Sequence, residues 1–284
     1  DETQNEYEHF QKENMKVPTE ISIYIDKLVK VEKLREVKAL IAFKRINQPY
    51  DSSTSGKGLF ASLSKKMKDW YPAVEVFGEG LFFSLNLNKI KEWEQNPQIK
   101  QRAKELNNIW KEEWSKQTTY QGTTNIPDAS PIITPRFLLI HTLSHAFINQ
   151  LALDSGYNTA SLKERIYCSD KKGEEMAGVL IYTSASDSEG TLGSLSEKAE
   201  PSLFLPIFQQ AVHNQSICSN DPICSDGISS LSETFNPSAC HSCLILPETS
   251  CVHFNRFLDR TTLIGNPFDT TENNIEGFFE DFSN

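Results

Sequence analysis

Cysteine occurs six times in this chain, and five of the six fall between Cys218 and Cys251. They come as a C-x5-C pair (Cys218, Cys224), a gap of fifteen residues, a C-x2-C pair (Cys240, Cys243) and a last Cys251. A C-x2-C pair lets one tight turn aim two thiolates at a single ion, and zinc takes four such ligands in a tetrahedron. The C-x5-C pair is looser, with a turn expected at Asp221-Pro222. The pattern points to a bound metal and leaves open which four of the five thiols hold it. Disulfides are the competing explanation, but five is an odd number and the opening residues carry no signal-peptide pattern. A reducing, cytoplasmic setting with free thiols is therefore expected, which favours metal. Zinc is the expected ion, and an iron–sulfur cluster is the lesser alternative. A closed set of four thiolates stabilises a fold and catalyses nothing.

A second constellation lies upstream. His141 and His145 stand one helical turn apart on one face, a geometry that zinc hydrolases use. The glutamate of an H-E-x-x-H motif is missing, because position 142 is Thr. Asp187 and Glu189, in a polar loop after a strand, are the carboxylates available to complete a metal-dependent hydrolase acting on nucleic acid. The plainer reading is a pair of histidines hydrogen-bonded inside a buried helix bundle. His213, His241 and His253 lie beside the cysteines and are candidates to replace one thiolate. Cys168 reads as a small buried side chain. Gly56-Lys57-Gly58 lacks the spacing of a phosphate-binding loop and reads as a flexible loop. No nucleophile with a paired base stands at a readable spacing.

The elements expected to position these groups follow from periodicity. Thr134-Pro135 starts a helix with an N-cap and a proline in its first turn, running through Leu151 to end near Gly156. Phe137, Leu138, Leu139, Ile140, Leu143, Phe147, Ile148 and Leu151 surround it almost completely, so it is buried. Ser161 and Glu164 have the spacing of a capping box. Gly178–Thr183 reads as a buried strand, Pro201–His213 as an amphipathic helix, and Cys251–Leu263 as a helix with Phe254, Phe257 and Leu258 inward. In the first half, Ile21, Ile23 and Ile25 alternate as in a strand. The apolar stretch from Val29 to Phe43 has no settled type. Pro72–Leu87 reads as a hairpin turning at Gly78-Glu79-Gly80. Lys89–Lys116 reads as a helix interrupted at Pro97.

The net charge of −10 divides unevenly. Residues 20–120 hold 18 Lys+Arg against 13 Asp+Glu, and residues 121–284 hold 8 against 20. Any phosphate contact should come from the first half; the bland alternative is a solvated Lys-rich face. No apolar run approaches membrane-spanning length. The expected organisation is α+β in two parts: an unstructured or linker lead-in (1–19), a mildly basic mixed domain (20–125), a helix-rich zinc domain with a small sheet and a structural four-cysteine site (131–265), and an acidic tail (266–284). The tail is expected to be disordered or a docking peptide carrying Ile275, Phe278, Phe279 and Phe282.

Ala239-Cys-His-Ser-Cys-Leu-Ile-Leu-Pro-Glu-Thr-Ser-Cys-Val-His-Phe-Asn-Arg-Phe-Leu-Asp-Arg260 resembles the C-terminal domain of the DrmB-like proteins of bacterial DISARM anti-phage systems. That domain is similar to the zinc-binding MZB domain of MrfA-type repair helicases. Val31–Arg45, Pro72–Phe82, Arg136–His145 and Gly178–Gly193 resemble the same family in the same order, so the likeness covers about residues 20–263. It implies a non-catalytic subunit of a hetero-oligomer, partnering a DrmA-type DNA helicase and meeting DNA through the complex. It further implies zinc on Cys240, Cys243, Cys251 and one upstream cysteine, Cys224 ahead of Cys218. The fifteen-residue gap before Cys240 departs from the family pattern at that first ligand.

Overall fold

The structure, a computed structural model, describes residues 9–43, 61–64, 69–120, 133–183, 194–225, 235–266 and 274–279. Its centre is a five-stranded antiparallel sheet: β1 (Phe10–Met15), β2 (Ile25–Ala39), β5 (Ala73–Leu85), β6 (Leu162–Ser169) and β7 (Met176–Thr183), in the order β1-β2-β5-β7-β6. A two-residue ribbon, β3 (Ala42–Phe43) with β4 (Ala61–Ser62), stands apart. The long β2 and β5 pair over almost their whole length. Ile25, Leu28, Leu81, Phe83, Val179, Ile181 and Leu162 alternate inward to one core face, as a half-buried sheet requires.

Among the described residues the longer helices are α1 (Leu87–Trp93), α2 (Pro97–Tyr120), α3 (Pro135–Ser155) and α4 (Pro201–His213). The signals expected at α3 are all in place. The Thr134 hydroxyl accepts from the Phe137 N–H, Pro135 opens the helix, and Gly156 closes it in the left-handed region at φ 70°. α3 is buried on nearly every side because the sheet covers one flank and α4 another, through Phe204, Ile207, Phe208, Ala211 and Val212. Phe83 of the sheet meets Phe147 of α3 and Phe204 of α4 at 5.2 and 5.6 Å between ring centres. The interruption before Pro97 is also observed, and Arg136 locks it with a fork to Glu94 at 3.1 and 2.9 Å.

Several elements differ from expectation. Residues 10–15 of the lead-in form an edge strand rather than an unstructured leader. Their side chains are mostly exposed, so backbone pairing with β2 places them there and no hydrophobic period marks them. Thr19–Ile21 is a single 3-10 turn, and β2 starts only at Ile25. The expected hairpin at Gly78-Glu79-Gly80 is an unbroken strand. Glu79 there is buried, and its carboxylate accepts the N–H groups of Leu195 and Ser196 at 3.2 and 3.3 Å. A shift of register in β2 between Val31 and Leu34 takes up the irregularity opposite the two glycines. The expected boundary near residues 126–130 lies outside the described residues. β5 pairs with β7 and one core runs from Ile21 to Phe279, so sheet and core are continuous across the two parts.

Residues 274–279 of the tail pack on the core. Ile275, Phe278 and Phe279 are buried in that core, and Phe278 and Phe279 donate backbone N–H groups to the Thr262 and Leu263 carbonyls at 2.9 and 2.8 Å. Phe282 lies outside the described residues. The segment from Cys251 to Arg260 is not a helix. Phe254, Asn255 and Phe257 have φ of 56°, 57° and 66°, which a right-handed helix does not allow, and only Thr261–Ile264 forms a helical turn.

Candidate metal centres

The loop after α4 is folded so that both of its cysteines point inward. Asp221 accepts the Cys218 N–H at 2.8 Å, the Asp221 and Cys224 N–H groups close turns onto Cys218 and Asn220, and buried Arg260 grips Asp221 at 2.5 Å. The C-x2-C knuckle approaches from the other side, with the Cys243 and Leu244 N–H groups bonded to the Cys240 carbonyl at 3.2 and 3.1 Å. The result is one cluster of Cys218, Cys224, Cys240 and Cys243, whose sulfurs all lie within 4.8 Å of one another.

The spacings are 3.5 Å for Cys218–Cys240, 3.8 Å for Cys224–Cys243 and 3.8 Å for Cys240–Cys243. Four thiolates around zinc at about 2.3 Å stand about 3.8 Å apart, so the cluster has the size of a tetrahedral zinc site. Disulfides are excluded at such distances, and all six cysteines are free thiols. The hydrogen bond between Cys224 and Cys243 holds the Cys243 thiol down at about 6 and pushes the Cys224 thiol up. Burial raises Cys218 to about 11. Four thiols this close ionise together only when a cation sits among them. The residues therefore fit a zinc ion held by four sulfurs, a closed set with no position left for a substrate.

Cys251 does not join this cluster, and Cys218, ranked last from sequence, stands with the other three. The reason is the path after Pro247. The Ser250 carbonyl accepts from Glu164 N at 3.2 Å, on the outer edge of β6, and the Ser250 hydroxyl donates to the Thr159 carbonyl at 2.7 Å. This draws Cys251 away from the knuckle toward α3. There His141, His145, Glu164 and Cys251 form a second cluster, each almost fully buried and with donor atoms within 4.8 Å.

His141 Nε2 lies 3.2 Å from Cys251 Sγ and 3.3 Å from Glu164 Oε1, and His145 Nε2 lies 3.5 Å from the same carboxylate oxygen. Burial pushes the His141 imidazole below its ordinary pKa, against the pull of Glu164. Burial also opposes ionisation of Glu164, yet the facing histidines outweigh it and hold its carboxyl well below the usual range. Asp187 and Glu189, expected beside these histidines, lie outside the described residues. Glu164 was expected to cap a helix, but its segment is strand β6, where Leu162 and Glu164 face inward while Lys163 and Arg165 face out. An acid at an inward position of an alternating strand is the signal that would have found it. His213 and His241 are exposed, and His253 packs edge-on against Phe137 beside the second cluster.

Residues 143–244 match the family model of the MrfA Zn-binding domain, MZB. All four thiols of the first cluster fall inside that segment, and Cys251 falls outside it. The chain is also similar to the DISARM protein DrmB of Bacillus paralicheniformis, at 34% identity over 256 residues, which are 90% of this chain and 44% of that protein. It thus spans less than half the length of this curated relative. Among the described residues no helix is long and apolar enough to cross a membrane. The resemblance read from the residues is borne out: over nine-tenths of its length this chain is similar to DrmB, and the segment that matches the MZB model contains the four clustered cysteines.

Proposed function

We propose that this chain is a non-catalytic, zinc-holding part of a DISARM-type anti-phage complex in the cytoplasm. In this reading it partners a DrmA-type DNA helicase and helps to form or gate the path of DNA through the complex. The observation that carries the reading is the coincidence of the four-sulfur cluster with the MZB match, inside a chain similar to DrmB. Four protein thiolates leave a zinc ion no vacant position, so the ion would stabilise the knuckle and the 218–225 loop. The proposed ligands are Cys218, Cys224, Cys240 and Cys243. The positive balance of residues 20–120 supports a phosphate-facing side in the first half, whereas the acidic second half would face away from DNA.

The test is co-expression of the full-length protein with a DrmA-type helicase, followed by gel filtration and DNA shift assays across salt concentrations. A stable hetero-oligomer with salt-steep DNA binding that weakens when Lys-rich positions of 20–120 are neutralised is expected. Separate elution of the two chains would overturn the helicase partnership. Co-elution with no DNA contact would leave a pure interaction scaffold.

A further inference from the structure

We propose that His141, His145, Glu164 and Cys251 form a second, closed metal site, distinct from the four-sulfur cluster, and that it takes Zn²⁺ through two imidazoles, one carboxylate and one thiolate. The observations that point to a ligand are convergence, proton accounting and charge.

The convergence has metal dimensions. Zinc–nitrogen, zinc–oxygen and zinc–sulfur bonds of about 2.1, 2.1 and 2.3 Å place tetrahedral neighbours roughly 3.4–3.6 Å apart. The distances here are 3.2 Å for nitrogen to sulfur and 3.3 and 3.5 Å for nitrogen to oxygen. Three separate parts of the chain supply the four groups: α3, the inward face of β6, and the turn beyond the knuckle.

With neutral imidazoles, protons leave the site unbalanced. His145 Nδ1 lies 2.8 Å from the Leu244 carbonyl, which only accepts, so Nδ1 carries the ring hydrogen. In the neutral ring Nε2 is then a bare lone pair, aimed at a carboxylate oxygen that is itself an acceptor. Both His145 Nε2 and Glu164 Oε1 are buried without a hydrogen-bond partner. A cation between them satisfies both. The other carboxylate oxygen, Oε2, is held by the Ser144 hydroxyl. A backbone carbonyl fixing one ligand's tautomer and a hydroxyl fixing another's carboxylate are the outer supports that metal ligands characteristically have.

Charge selects the ion. One carboxylate and one thiolate neutralise a divalent cation, so the completed centre would carry no net charge into a fully buried position. The mixed nitrogen, oxygen and sulfur set suits zinc better than calcium or magnesium, which take oxygen alone. With four protein ligands and no exposure, the site has no open position for water activation, and its role is to fasten α3, β6 and the 250–251 turn together. Binding would release the Cys251 thiol proton.

The deciding measurement is zinc content together with zinc X-ray absorption on the full-length protein, purified without added metal. Two zinc ions per chain are expected, with an average shell of about two and a half sulfurs and one and a half nitrogen or oxygen atoms. Cys251→Ser and Glu164→Gln should each leave one zinc with an all-sulfur shell, and Cys240→Ser should leave one with a mixed shell. One zinc in an all-sulfur shell in the wild-type protein overturns this second site while leaving the cysteine cluster standing. One zinc in a mixed shell does the reverse, and a metal-free protein sinks both. The wild-type spectrum decides even where a variant fails to fold.

Discussion

His145 Nδ1 sits 2.8 Å from the carbonyl oxygen of Leu244, the residue that follows Cys243 in the knuckle. One peptide therefore serves both cysteine-bearing centres: its chain carries a sulfur of the first and its carbonyl orients a nitrogen of the second. Asn149, one turn further along α3, adds a bond from its side-chain amide to the Cys243 carbonyl at 3.1 Å. The knuckle is thus fastened to the central helix by two polar contacts in a region otherwise packed with apolar side chains.

The first prediction separates the thiols by place. Cys218→Ser should remove one zinc per chain, because its sulfur is 3.5 Å from that of Cys240 within the tetrahedral set. The apparent free energy of a structural zinc site is on the order of 10 kcal/mol, so the 216–246 region should lose its cooperative unfolding with the metal. Cys168→Ser, four residues along β6 from Glu164 and outside both clusters, should retain all metal. Elemental analysis and thermal melts of the two variants check this, and equal zinc in Cys218→Ser and wild type would remove Cys218 from the site.

Arg260 tests how the loop is held. Its guanidinium is buried, bonded to Asp221 at 2.5 Å and to the Gln215 carbonyl at 2.8 Å. Arg260→Met leaves the Asp221 carboxylate buried and uncompensated, which typically costs about 3–5 kcal/mol. Asp221 also accepts the Cys218 N–H, so the same change should loosen the first cluster. Faster zinc loss to a chelator, followed with a colorimetric zinc dye, is the expected result.

These groups were unequally legible in the sequence. The caps of α3, the interruption before Pro97, α4 and the β7 strand follow from local rules, since Thr134, Pro135 and Gly156 act within a few residues of where they sit. β1 was not legible, because an edge strand whose side chains are mostly exposed leaves no hydrophobic period in the sequence. Gly78-Glu79-Gly80 has the composition of a turn, but the close approach of β7 and the Leu195–Ser196 backbone, both distant in sequence, keep it extended. The cysteine cluster itself was legible, but its membership depended on tertiary path: β6 captures Ser250 and draws Cys251 off, and Arg260 folds the 218–224 loop inward. Glu164 went unread because its role appears only when β6 faces α3.

The tail gives a prediction with an optical signal. Phe279 is fully buried against Tyr24 and Phe208, at 5.1 and 5.5 Å between ring centres, and Trp93 Nε1 donates to the Glu276 carbonyl at 2.8 Å. Phe279→Ala should cost about 3–5 kcal/mol. It should also expose Trp93 and shift its emission to longer wavelength. Unchanged emission and stability would mean that the tail does not dock on its own core.

Cys168 gives the pH dependence. Burial raises its thiol to about 11, while in an unfolded chain the same thiol titrates near 8.5. Between those values the unfolded state has released a proton that the folded state keeps, so stability falls as pH rises from about 8.5 to 11. Cys168→Ala should flatten that part of the curve. Urea midpoints measured across the alkaline range read the difference, and parallel curves for variant and wild type would refute it.

Gly80 carries the last prediction. A Cβ built there would lie 2.2 Å from the Ile181 carbonyl oxygen and 2.9 Å from Tyr182 Cα, both backbone atoms of β7. No side-chain rotation relieves such a contact, so Gly80→Ala must push β7 away from β5 and open the sheet where the two expected parts of the chain join. Overpacking of this kind costs typically about 1–3 kcal/mol, and backbone atoms that cannot yield place it at the upper end. Gly156→Ala is the natural comparison, because nothing lies within 4 Å of its Cβ position and only its left-handed φ is at stake. That conformation costs an ordinary residue about 1–2 kcal/mol, confined to one helix end. Amide hydrogen exchange should therefore show β5 and β7 deprotected in Gly80→Ala and untouched in Gly156→Ala. Equal protection of the two strands in both variants would mean that β5 and β7 are not packed as closely as described.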